Sequence, residues 1–126
     1  MSAIQNQLKL TILGSGTCVP SLTRSACSAL VTFEEIVFLL DVGPGTMRRL
    51  LEAGVSIFDV THIGLSHFHP DHTGELISFL FANKYPDGGL RQKPLTILGG
   101  PGLLTFYQGL KDVFGDWIDM AGKLEL

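Results

Sequence analysis

Residues 65 to 74 read Leu65-Ser66-His67-Phe68-His69-Pro70-Asp71-His72-Thr73-Gly74, which gathers three of the chain's four histidines within six positions around an aspartate. Imidazole and carboxylate are the donors that suit zinc and other first-row divalent ions. In an extended turn, side chains two apart point the same way, so His67 and His69 can reach one point while Asp71 and His72 turn toward its neighbour. One short loop can thus serve two adjacent metals. The competing reading is a polar, solvent-facing turn in which Asp71 caps a helix and the histidines are incidental.

The flanks of this loop place it in a fold. Ile63 and Leu65 mark a short strand ahead of it, and from Thr73 to about Lys84 a helix is expected to carry Leu76, Ile77, Leu80 and Phe81 inward. Open α/β sheets build their sites between the carboxyl end of a strand and the following helix. Pro70 stiffens the turn, and Gly74 permits a close approach. Upstream, Asp41-Val42-Gly43-Pro44-Gly45 ends the run Ile36 to Leu40. Met47, Leu50 and Leu51 then follow at helical spacing until Gly54. Ile36 to Leu40 is continuously apolar, as a strand covered on both faces would be, and it pairs with Ser28 to Phe33 as a hairpin around Glu34-Glu35.

At the N-terminus, Leu8, Leu10 and Ile12 alternate with Lys9, Thr11 and Leu13, a strand with one face in the core, before the Gly- and Ser-rich loop from Gly14 to Ser25. Downstream, Tyr85-Pro86-Asp87-Gly88-Gly89 breaks the helix and Leu95 to Leu98 forms a buried strand. A last helix starts near Pro101, carries Leu103, Phe106, Tyr107, Leu110 and Val113 on one stripe, and stops at Gly115. Leu124 and Leu126 alternate with charges like the opening of another strand, either the last edge of a small sheet or a sign of a truncated chain. The order is that of an α/β protein with an α+β mixed sheet in one domain, residues 1–126.

Bulk properties narrow the function. The chain has 126 residues, 45% hydrophobic and 17% charged, with a formal charge of -3. Its basic residues are scattered, which argues against a nucleic-acid surface in this segment. No apolar run approaches the roughly 18 to 20 residues of a membrane helix, and Met1 to Gln7 lacks the features of a secretory signal, so a cytoplasmic home and no membrane partner are expected. Cys18 and Cys27 match no metal or redox spacing and are expected to be reduced and buried as small hydrophobes. His62 stands outside the cluster and is expected to be a hydrogen-bonded, partly buried histidine. A mean hydropathy of +0.32 is high for so small a domain and suggests apolar surface in need of a partner.

The string from Leu65 to Gly74 resembles the metal-binding signature of the metallo-β-lactamase fold hydrolases. Upstream, Leu13-Gly14-Ser15-Gly16-Thr17-Cys18-Val19-Pro20, and Arg24 followed by Ser28, resemble the opening of the ribonuclease Z-like branch, and Leu40-Asp41-Val42-Gly43-Pro44-Gly45-Thr46 resembles its aspartate-glycine turn. The resemblance covers most of residues 8 to 100. It implies that His67 and His69 ligate one metal and Asp71 and His72 a second. Asp41 would accept hydrogen bonds from the metal loop and orient it, the alternative being an ordinary turn aspartate. The implied cofactor is zinc, two ions per complete site, with manganese or iron as substitutes. The implied chemistry is hydrolysis of a phosphodiester by a water activated between the two metals, with Asp71 as catalytic proton acceptor.

The family fold is a four-layer αββα sandwich of two similar halves, so the chain is expected to be the N-terminal half of one, truncated before the remaining ligands. No histidine follows His72. Weak metal binding follows from an incomplete ligand set, and a homodimer that pairs sheet to sheet is expected to cover the exposed sheet face. The expected substrate is a small-molecule or nucleotide phosphodiester. Pro44 stands where the transfer-RNA-processing members carry glutamate, which makes tRNA the less favoured substrate. A truncated, inactive metal-binding or self-associating fragment is the alternative function.

Overall fold

Six strands form one sheet whose spatial order is the order of the chain. They are β1 (Lys9–Gly14), β2 (Ser28–Phe33), β3 (Ile36–Leu40), β4 (His62–Leu65), β5 (Leu95–Gly99) and β6 (Leu124–Glu125). The computed structural model describes residues 7–84 and 91–126; the expected break from Tyr85 to Gly89 lies outside them. β1, β2 and β3 are antiparallel neighbours, and β3 through β6 are parallel. Parallel neighbours need crossovers, supplied by α1 (Thr46–Glu52), by α2 (Pro70–Thr73) with α3 (Leu76–Lys84), and by α4 (Leu103–Phe114).

Parallel crossovers are almost always right-handed, and with strands laid down in sequence order this puts the helices on one face. Burial agrees: Leu13, Leu30, Leu39, Ile63, Leu65, Leu95 and Ile97 pack with Leu50, Leu76, Phe79, Leu80 and Leu103 in one core. The other face alternates with these positions. Cross-strand register aligns Leu10, Val31, Phe38, His62 and Thr96 in one row and Ile12, Ala29, Leu40, Gly64 and Leu98 in the next. Leu10 and Ile12 are each 62% exposed, Leu98 46% and Leu40 39%.

Several expectations from sequence are corrected by this one-sided arrangement. β3, expected to be covered on both faces, is covered on only one, with Ile36 and Leu40 exposed, while β1 has one face inward as expected, through Leu13. The expected helix from Thr73 divides at Gly74 and Glu75, so α3 starts at Leu76 and buries Leu76, Phe79, Leu80 and Asn83. That phase turns Phe81 outward. Val113, at the end of the α4 stripe, is likewise exposed. Cys18 and Cys27 are free and exposed rather than buried, because both lie in loops outside the strands. Leu124 forms the sheet edge beside Leu95.

Arg91 was not singled out by sequence, yet it is 2% exposed. Its guanidinium donates to the carbonyls of Ile57 at 3.2 Å and Pro94 at 3.2 Å, to the Val60 carbonyl, and to Asn83 Oδ1 at 3.0 Å. Burial lowers its pKa to about 10, against the opposing pull of Asp59. The side chain ties the approach to β4, the end of α3 and the entry to β5, and so fixes the strand that delivers the histidine loop. No described helix is long and apolar enough to cross a membrane.

Candidate metal centre

β3 and β4 are adjacent and parallel, with Leu40 opposite Gly64, so the residues that follow them emerge side by side. This brings Asp41 against a loop 25 to 31 residues later in sequence. The backbones interlock: Asp41 N–H donates to Gly64 O at 2.8 Å, Val42 N–H to His72 O at 2.8 Å, and Glu75 N–H to Val42 O at 3.1 Å. Gly43 is required by this approach, since a Cβ there would lie 2.3 Å from the Asp71 carbonyl oxygen. Antiparallel β2 returns Ser28 to the same place, where its hydroxyl donates to Asp41 O at 2.9 Å.

Asp41 has a positive φ of 62°, a conformation that aspartate tolerates better than most residues. Its Oδ1 accepts the Ser66 N–H at 2.8 Å, while Oδ2 accepts the Ser66 hydroxyl at 2.7 Å and His72 Nδ1 at 2.7 Å. Burial raises the Asp41 pKa, but the bonds from the Ser66 backbone, the His72 ring and the Ser66 hydroxyl outweigh it and hold the carboxyl below its ordinary value.

His67, His69, Asp71 and His72 converge at this end of the sheet. Donor atoms of His67, His69 and Asp71 all lie within 4.8 Å of one another. His72 Nε2 is 3.4 Å from Asp71 Oδ2, so the third histidine adjoins the same carboxylate. The His67 ring is 4.0 Å from that of His72 and 4.6 Å from that of His69, centre to centre. His67 Nδ1 contacts the Ser66 hydroxyl at 2.9 Å. With Nδ1 of both His67 and His72 engaged by neighbours, Nε2 of each is left for a ligand, the arrangement found around metal-bound imidazoles. The donor set therefore fits a divalent metal. His62 is elsewhere, bonded to Thr61 Oγ1 at 2.8 Å and edge-on to Phe38.

Two contributors escaped the sequence. Glu75 sends its carboxylate to the start of α1, accepting the N–H groups of Met47 at 2.6 Å and of Gly45. It supplies the cap that α1 lacks from its own N-terminal residue, and it couples the histidine loop to that helix. Its partners are 28 to 30 residues away, so no local pattern signals it. Cys27 is the second, placed beside Asp41 and His72 with donor atoms within 4.8 Å of one another. Burial, then Asp41 and Asp71, raise its thiol pKa.

Known proteins share this arrangement of chain. Ribonuclease Z of Mycobacterium marinum is 31% identical over 108 residues, which are 86% of this chain and 39% of that protein. The crystal structure of the short form of human tRNase Z superposes with a TM-score of 0.68 at 30% identity, over 82% of this chain and 38% of that one. The metallo-β-lactamase fold protein YhfI of Bacillus subtilis gives 0.70 at 22% identity, over 82% and 41%. The chain thus spans about two fifths of the length of these relatives. Residues 8–98 match the family described as anti-Pycsar protein Apyc1. That match takes in every strand from β1 to β4, most of β5 and the whole histidine loop, and the chain accordingly belongs to the anti-Pycsar protein Apyc1 family, a ribonuclease Z-like group of metallo-β-lactamase fold proteins.

Proposed function

We propose that this chain supplies the first part of a two-metal hydrolase site and that the whole protein cleaves a phosphodiester. The observation that carries the reading is the pairing of His67 Nδ1 with Ser66 and of His72 Nδ1 with Asp41, which leaves Nε2 of each ring for a metal, that of His72 being 3.4 Å from Asp71 Oδ2. His67, His69, Asp71 and His72 would hold the ions, and zinc matches their nitrogen and oxygen donors. Bound metals supply positive charge that acidifies water and stabilises charge developing on phosphorus. Asp71, with a side chain 37% exposed, accepts the proton released as water attacks. Asp41 holds the His72 ring in the tautomer that presents Nε2. A nucleotide or other small phosphodiester is the substrate class, supported by relatives that are named for ribonuclease activity; tRNA itself is the less favoured member of that class.

The chain is, in this proposal, the N-terminal half of an αββα sandwich, residues 1–126 forming one sheet and its helices. The bare face of Leu10, Ile12, Leu40 and Leu98 is where a second sheet would pack, at roughly 25 cal/mol per Å² of apolar surface removed from water. For the 126-residue chain in isolation a second copy provides that cover, as a homodimer. Hydrolysis of bis(p-nitrophenyl) phosphate in the presence of zinc tests the activity, with a chelator and a His67→Ala, His69→Ala variant as controls. Turnover abolished by both supports the proposal. Metal uptake without turnover assigns the chain to a metal-binding, self-associating fragment, the reading that the bare sheet favours.

A further inference from the structure

β2 runs antiparallel to β3 with Ala29 opposite Leu40, so Ser28 stands across from Asp41 and the residue just before β2 comes one step further on, against the same turn. Cys27 is that residue. Its Sγ and the donor atoms of Asp41 and His72 lie within 4.8 Å of one another, and its carbonyl oxygen would be 3.0 Å from a Cβ on Gly43, the glycine that also abuts the Asp71 backbone. The thiol is free and exposed. Of its two neighbours, the Asp41 carboxylate is saturated by Ser66 and His72, which leaves His72 Nε2, and beside it Asp71, as open donors.

We propose that Cys27 is a thiolate ligand on the His72 side of the site, so that the metal held there is bound by sulfur as well as by imidazole and carboxylate. The inference rests on the reading of the histidine loop as a metal site. Zinc–sulfur and zinc–nitrogen bonds are about 2.3 and 2.1 Å, so two donors on one ion can be at most about 4.4 Å apart. In a tetrahedral shell the two donors stand about 3.6 Å apart; Sγ already lies within 4.8 Å of a ring nitrogen of His72, and a cysteine χ1 rotation supplies the remaining approach. On binding, the S–H bond breaks, its proton passes to solvent, and the sulfur lone pair forms the bond to the metal. A site with a thiolate prefers soft, thiophilic ions over magnesium or calcium.

Cobalt(II) titration distinguishes this inference from the reading beneath it. The wild-type chain should develop visible ligand-field bands together with a near-ultraviolet thiolate-to-cobalt charge-transfer band. Cys27→Ser should lose the charge-transfer band and keep the visible bands, while Cys18→Ser keeps both. As a second measurement on unaltered protein, zinc should protect Cys27, but not Cys18, from iodoacetamide. Visible bands without charge transfer, or unprotected Cys27, overturn the thiolate ligand and leave the histidine site standing. No visible bands at all would overturn both.

Discussion

Replacing Asp41 by asparagine changes one atom where the His72 ring is held. Asparagine has the same size and accepts the left-handed backbone at φ 62°. Its amide oxygen can still take the Ser66 N–H now 2.8 Å from Oδ1. In the position of Oδ2, however, an NH₂ group then faces His72 Nδ1 at 2.7 Å. Donor would meet donor unless the ring moves its proton to Nε2, the atom that must be bare to bind a metal. Flipping the amide only transfers the conflict to the Ser66 N–H, which has no other tautomer. The expected cost is about 10- to 100-fold in metal affinity, or roughly 1.4 to 2.7 kcal/mol, with about 1 to 2 kcal/mol lost in folding as a charge-assisted bond becomes a neutral one. Zinc competition against a chromophoric chelator reads the affinity, thermal unfolding reads the stability, and imidazole ¹⁵N shifts read the tautomer. A folded Asp41→Asn chain with wild-type zinc affinity would show that Asp41 does not set the His72 tautomer.

Other consequences follow from the same contacts. Folding lowers the Asp41 pKa from an ordinary value of 3.8, so the folded chain binds fewer protons there. Its stabilising contribution is complete above that value and drains away as pH falls below it. Urea unfolding at pH 6 and pH 3 should show wild type losing more stability than Asp41→Asn. Arg91→Met strands the carbonyls of Val60, Ile57 and Pro94 and should destabilise by about 3 to 5 kcal/mol, measured as a lower urea midpoint. Leu10→Ser with Ile12→Ser should shift sedimentation from dimer toward monomer without lowering zinc affinity, since both residues lie on the bare face and away from the loop; a variant that stays dimeric would place the contact elsewhere.

The histidine loop was legible because its donors are contiguous, and so was each strand whose pattern is local, such as the Ile36 to Leu40 arm of the hairpin. Period alone could not say which face of β1 lies inward. Leu8, Leu10 and Ile12 are more apolar than Lys9, Thr11 and Leu13, and hydrophobicity favours burying them; they stand exposed because the helices of the described residues pack on the opposite face, with Leu13. The Asp41 contact was reached through resemblance and lies at the end of β3, where the parallel pairing with β4 brings it to the loop. Glu75, Cys27 and Arg91 carry no pattern of their own, because each acts through partners that only the sheet order brings near. Phe81 was misplaced by a shift of helix start from Thr73 to Leu76, enough to rotate the buried stripe onto Phe79.

Equilibrium dialysis against buffered zinc, with bound metal counted per chain, tests the metal site most directly when run on wild type and on a His67→Ala, His69→Ala variant. Wild type should take up zinc saturably, and the variant should lose that uptake while keeping its fold. Equal uptake by the two chains, or none by either, would contradict a metal site at these histidines.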